Sequence, residues 1–182
     1  MTLKEKLSRR LHLHDIQEIV CRARQNTKSK QELYDLLFDS DDSVAYQAAW
    51  VLTHFSTKDS QWLYEKQDEL IDEVLACSHT GKRRLILTIL YRQPFANPPR
   101  IDFLDFCMER MKSIKEPVGI RSLCMKLSYV LCRPIPELVQ ELASTLEMME
   151  GDLPPAIQAA KRNILSKYNQ NTPIFNKSIP IN

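Results

Sequence analysis

Three glycines stand in 182 residues, at positions 81, 119 and 151, where average usage would give roughly 13. That scarcity decides most of the fold class. Dinucleotide and nucleoside-triphosphate folds bring backbone against phosphate through glycine clusters, and β proteins need frequent glycine-containing turns between short strands. The chain supplies neither. It offers leucine, glutamate, lysine and glutamine, in segments whose apolar residues recur every three to four positions. The expectation is an all-α protein. With 43% hydrophobic and 26% charged residues, a wholly disordered chain and a membrane-embedded one are both disfavoured, and no apolar run approaches the ~20 residues that span a bilayer.

From residue 30 onward, Asp, Pro and Gly breaks separate segments of helical length. Ser29-x-x-Glu32 reads as a capping box ahead of Leu33, Leu36 and Leu37. Residues 40–43 then interrupt the chain before Val44, Ala48, Val51, Leu52 and Phe55. Leu63, Leu70, Ile71, Val74 and Leu75 form the next segment, and His79-Thr80-Gly81 breaks it before Leu85, Ile86, Ile89 and Leu90. Asn97-Pro98-Pro99 opens a third pair that turns near Pro117, and Pro134-Ile135-Pro136 opens a fourth that turns at 151–155. Four helical hairpins result.

Steps of 37 residues link Val44, Gly81, Val118 and Pro155, each near the start of a second helix. The same step carries Gln47-Ala48-Ala49 to Gln158-Ala159-Ala160 by way of Arg84-Leu85-Ile86 and Arg121-Ser122-Leu123. In this register Ala49, Ile86, Leu123 and Ala160 form a core column, and Thr53, Leu90, Leu127 and Ile164 share its face. The reading is one domain over 1–168. Within it, 1–28 is a terminal cap of one or two helices using Leu3, Leu7, Leu11, Ile16, Ile19, Val20 and Ala23. Residues 169–182 carry prolines and no helical period, so an extended or disordered tail is expected there.

The stretch from Asp41 to Leu52, with Asp41, Asp42, Val44, Ala45, Ala48, Ala49, Val51 and Leu52, resembles the aspartate, valine, alanine and leucine pattern at the turn and second helix of HEAT repeats. The resemblance covers residues 30–168. It implies a right-handed α–α superhelix, an armadillo-like solenoid that holds other macromolecules on the surface of its stacked helices without catalysing a reaction. The alkylpurine DNA glycosylases are HEAT-like enzymes with a basic concave face, and no catalytic residue is carried over from them.

The formal charge is +2, too small to mark the whole chain as a nucleic-acid binder. Charge is nevertheless sorted by helix. The first helices, taken as 30–39, 61–76, 98–113 and 135–150, hold fifteen acidic and five basic residues; the second helices, 43–55, 82–93, 117–133 and 155–168, hold ten basic and none acidic. Second helices line the concave side in HEAT-like stacks, so the resemblance implies a basic groove.

Arg84 and Arg121 share a column flanked by Gln47 and Gln158, about 200° around the helix from the core column, and are expected to face solvent. With Lys82, Arg83, Lys126, Lys161 and Arg162 they form the candidate contact set, because guanidinium and ammonium groups hold carboxylate or phosphate. Trp50 joins them as an aromatic anchor. The competing reading is that acidic and basic helices simply complement each other within the fold. The function expected is a non-enzymatic scaffold binding an acidic peptide or protein segment. Nucleic-acid backbone is the alternative partner. A homo-oligomer, acidic first helices of one copy against basic second helices of another, is the third possibility.

Cys21, Cys77, Cys107, Cys124 and Cys132 are odd in number and lack CxxC spacing, so they read as reduced core thiols of a cytoplasmic protein. His12, His14, His54 and His79 complete no metal-ligand set, and no cofactor motif is present. Asp68 with Asp72 and Glu69 with Glu73 stand four apart, the spacing of an ordinary solvated helix face.

Overall fold

A computed structural model describes residues 1–171, which form helices, turns and loops with no strand among them. The chain divides into two compact units, one over Met1–Pro94 and one from Phe95 onward. The expected tail lies outside the described residues from 172; its first residues, 169–171, end the last helix instead of leaving it.

The first unit begins with α1 (Leu3–Leu7) and α2 (Leu13–Gln25). Thr2 starts α1 through a reciprocal cap, its hydroxyl accepting from the Glu5 N–H at 3.2 Å while Glu5 accepts from the Thr2 N–H at 2.7 Å. Leu7, Leu11, Ile16, Ile19, Val20 and Ala23 are buried. The two helices pack on the first hairpin, as a terminal cap should.

That hairpin is α3 (Thr27–Asp35), prolonged by a 3-10 turn over Leu36–Phe38, and α4 (Asp42–Thr53). Ser29 is not the cap of α3. Asn26 is, its Oδ1 accepting from Lys28 N–H at 2.8 Å and Ser29 N–H at 3.3 Å, because an Asn side chain placed before Thr27 satisfies the orphan N–H groups of a helix that starts three residues earlier. Ser29 lies within the helix and is buried. Asp41 caps α4 through Ser43 N–H at 2.9 Å.

The second hairpin is α5 (Thr57–Ser60), a 3-10 stretch over Gln61–Lys66, α6 (Gln67–Ala76) and α7 (Thr80–Tyr91). Val44, Ala45, Ala48, Ala49, Val51 and Leu52 of α4 are buried, as are Leu85, Ile86, Leu87, Ile89 and Leu90 of α7, and the two helices lie side by side. Each leucine or isoleucine buried there is worth about 1.5–3 kcal/mol. Gly81 permits the contact at the N-terminal end of α7. A Cβ at that position would lie 3.0 Å from the Tyr46 ring and 3.0 Å from the His79 ring.

The second unit holds α8 (Ile101–Lys112), α9 (Val118–Cys132), α10 (Pro136–Glu147) and α11 (Pro155–Asn171). Phe103, Leu104, Phe106, Cys107 and Met111 of α8 are buried, as are Ile120, Cys124, Met125, Leu127, Leu131 and Cys132 of α9, whose helix also receives Ile157, Ala160 and Ile164 from α11. The four expected hairpins are therefore present.

The spacing between them differs from the expected 37. The second helices start at Asp42, Thr80, Val118 and Pro155, so the first two steps are 38 residues and only the last is 37. One residue turns a helix by about 100°, which redistributes the columns. Ala49, Ile86 and Ala160 are buried, but Leu123 is half-buried; Leu90, Leu127 and Ile164 are buried, but Thr53 is half-buried. The cysteines depart from expectation at one place. All five are free thiols, four of them buried, and Cys21 is exposed. Burial, with the neighbouring Cys124 thiol adding to it, pushes the Cys107 thiol well above its ordinary range, and burial pushes Cys132 up to about 11.

Candidate interaction surfaces on the second helices

Four of the basic residues expected to contact a partner are occupied inside the fold. Lys82 is buried, its Nζ 2.7 Å from the Glu73 carboxylate on α6. Arg83 is buried and its guanidinium donates to the Cys77 carbonyl just past α6. Arg121 is 6% exposed and its Nε donates to the Met111 carbonyl in the last turn of α8 at 3.3 Å. Lys161 is half-buried and donates to the Met149 carbonyl beyond α10 at 2.7 Å. The cause is common to Arg83 and Arg121. The last carbonyls of a helix have no intrahelical partner and carry the negative end of its dipole, so a cation reaching back from the second helix meets both needs. Part of the charge sorting along the sequence is thus internal complementation.

Arg83 and Arg121, 38 residues apart, are the true equivalents, each the fourth residue of its helix. The expected column of Arg84 and Arg121 with Gln47 and Gln158 is corrected accordingly. Arg84 and Gln158 are exposed, while Gln47 and Arg121 are buried, because the extra residue per repeat turns Gln47 and Arg121 inward. Gln47 instead matches buried Leu85. Lys126 and Arg162 are exposed and Trp50 is half-buried.

In the first unit the accessible edge of α4 runs through Tyr46, Trp50 and His54, four residues apart, and that of α7 through Arg84, Thr88 and Arg92, also four apart. The two stripes are tied at both ends. Tyr46 meets Gly81 and stands 5.7 Å from the His79 ring; Arg92 Nη1 donates to the Thr53 carbonyl at 2.6 Å. Between those ends, Trp50 makes an edge contact with His54 at 5.8 Å between ring centres. Tyr46, His54, Thr88 and Arg92 escaped the sequence reading, although the i, i+4, i+8 spacing of aromatic rings at 46, 50 and 54 was there to be seen.

In the second unit, an open groove of about 920 Å³ runs along α11. Met149, Glu150, Gly151 and Leu153 line one wall, with Gly151 at φ +94°, and Gln158, Lys161, Arg162, Leu165, Ser166, Asn169 and Gln170 line the other. Three of the sequence-predicted residues, Gln158, Lys161 and Arg162, come together here.

Two further clusters lie away from these faces. Trp62 packs edge-on to Tyr34 at 5.6 Å, with Lys66 Nζ 4.7 Å from the Tyr34 ring centre and 5.3 Å from that of Trp62. The Tyr34 hydroxyl donates to Glu69 at 2.9 Å, and burial, with Glu69 adding to it, raises its pKa far above the ordinary phenol value. On α2, ligand atoms of His14, Asp15 and Glu18 lie within 4.8 Å of one another, a grouping not read from the sequence. Lys6 already sits on it, 2.7 Å from Glu18 and 3.8 Å from Asp15, so a cation there would have to displace an ammonium.

A family model for a HEAT repeat domain matches residues 3–168. The chain belongs to the HEAT repeat domain family. The match takes in the N-terminal cap as well as all four hairpins of this HEAT repeat chain. No curated protein and no solved structure matches it. Among the described residues, no helix is long and apolar enough to cross a membrane.

Proposed function

We propose that this HEAT repeat chain is a non-enzymatic, cytoplasmic interaction scaffold that binds an acidic peptide or protein segment through its second helices. One observation carries the reading: once the inward-turned cations are set aside, Arg84, Lys126 and Arg162 remain exposed on helices that contain no acidic side chain between 82 and 93, 117 and 133, or 155 and 168. Exposed cations unmatched on their own helix favour an anionic partner through both steering and pairing. The groove along α11 adds apolar Leu153 and Leu165 beside Gln158, Asn169 and Gln170, whose amides match the donors and acceptors of a peptide main chain.

The test is affinity capture with the wild type and an Arg84→Glu/Arg162→Glu variant. Loss of specific acidic proteins from the variant is the expected result, and an unchanged set of retained proteins refutes the reading. Titration with oligonucleotides of unrelated sequence separates the alternative: binding of them all, with affinity falling steeply as salt rises, marks a phosphate-backbone binder.

A further inference from the structure

The paired stripes on α4 and α7 have a spacing that selects the shape of what lies on them. Arg84 and Arg92 are eight helical residues apart, about 12 Å along the axis at 1.5 Å per residue. An extended peptide covers about 13 Å in four residues. Tyr46, Trp50 and His54 recur every four helical residues, about 6 Å, close to the roughly 6.7 Å between alternate side chains of an extended strand. The helices lie side by side, joined by the Arg92 bond to the Thr53 carbonyl at 2.6 Å. A strand running between them would direct one set of alternate side chains toward the rings and the other toward the arginines.

Resting on the scaffold reading above, we infer that the α4–α7 face binds an extended peptide of the pattern acid–apolar–polar–apolar–acid. Its two carboxylates pair with Arg84 and Arg92, its central polar residue meets Thr88, and its apolar side chains lie against Tyr46, Trp50 and His54. Arg92 keeps donors for this role, since a guanidinium has five N–H groups and Thr53 takes one of its nitrogens. Charge complementarity names the partner as anionic, and the number of charges separates peptide from nucleic acid. Two cations about 12 Å apart match two carboxylates four residues apart, whereas a single strand of nucleic acid brings a phosphate at every nucleotide. Exposed Asp41 and Asp42 at the start of α4 would repel such a continuous polyanion.

The probe is a fluorescein-labelled synthetic peptide with the core Glu-Leu-Ser-Leu-Glu, followed by anisotropy on the full chain. Binding is expected, with an affinity loss of about tenfold or more on Arg84→Glu and no change on Lys58→Glu, an exposed lysine on α5 that gives the same change in net charge. A peptide with lysine in place of the acidic residue that meets Arg84 should regain affinity for Arg84→Glu, which separates a direct contact from misfolding. A peptide whose two glutamates are adjacent should bind about as weakly as the Arg84→Glu pair. Equal binding of the spaced and adjacent peptides overturns the register. Binding lost on Arg162→Glu but kept on Arg84→Glu overturns this face while retaining the scaffold. Binding of single-stranded oligonucleotide in place of every peptide overturns both.

Discussion

Two arginines that look equivalent in the sequence should separate cleanly by experiment. Arg121 is 6% exposed and gives its Nε proton to the Met111 carbonyl; Arg84 is exposed on α7. In Arg121→Ala, the lost hydrogen bond from a charged donor is worth about 1.5–3 kcal/mol. The buried aliphatic stem adds roughly another 1 kcal/mol. The sum, about 2.5–4 kcal/mol, corresponds to a drop of several degrees in Tm for a chain of this length. Arg121→Met keeps the stem and removes a charge that was costly to desolvate, so it should lose less than the alanine variant. Arg84→Ala should stay within about 0.5 kcal/mol of wild type and show its effect only in partner binding. Urea unfolding followed by far-UV circular dichroism measures all three. Equal stabilities for Arg84→Ala and Arg121→Ala would refute the assignment of Arg121 to the inside of the hairpin, and with it the 38-residue register.

Gly81→Ala should destabilise by about 1–2 kcal/mol, because displacing the Tyr46 and His79 rings, each 3.0 Å from the new Cβ, outweighs the roughly 1 kcal/mol gained in helix propensity; a stabilised variant in thermal unfolding would show that the rings yield freely. Asp41→Ala should cost about 1 kcal/mol through loss of the α4 cap to Ser43, read from denaturant midpoints and absent if the cap is inert. The Lys4 ammonium beside Asp39, and the Ser56 hydroxyl with Arg24 beside Asp59, hold both carboxyls below their ordinary value of 3.8. A depressed folded value means that the contribution is complete above 3.8 and is lost as the pH falls through the folded values. Stability should therefore decline on acidification in that range, less so in Asp59→Asn, and a rise would contradict the sign. Under native conditions a thiol reagent should modify Cys21 rapidly and the four buried cysteines only after unfolding; fast labelling of Cys107 would place it outside the core.

Helix identity was readable from apolar spacing because tertiary packing agrees with it at nearly every position. Leu70, Ile71 and Val74, or Leu142 and Leu146, point where their period says. The start of α3 was misplaced by competition between two legitimate caps, Asn26 and Ser29, of which the earlier wins by offering an oxygen to two N–H groups. The interaction face was harder to read. Exposure around a helix changes by 100° per residue, so a repeat length wrong by one turns Arg121 from core to surface and hides the pairing of Tyr46 with Arg84. The inward use of Lys82, Arg83 and Lys161 left no local signal either, because their partners lie on the preceding helix or in the loop that follows it.

Arg121 joins the opening turn of α9 to the closing turn of α8, and Lys161, in the second turn of α11, reaches back to the loop just beyond α10. Each hairpin in this unit thereby carries its own latch at the end where its chain reverses. Fraying of one helix end releases the latch and exposes the other, so the amides of the two turns should exchange with solvent at matched rates. Cutting the latch at Arg121 should hasten exchange in both turns of its hairpin while leaving the α10–α11 hairpin unaltered.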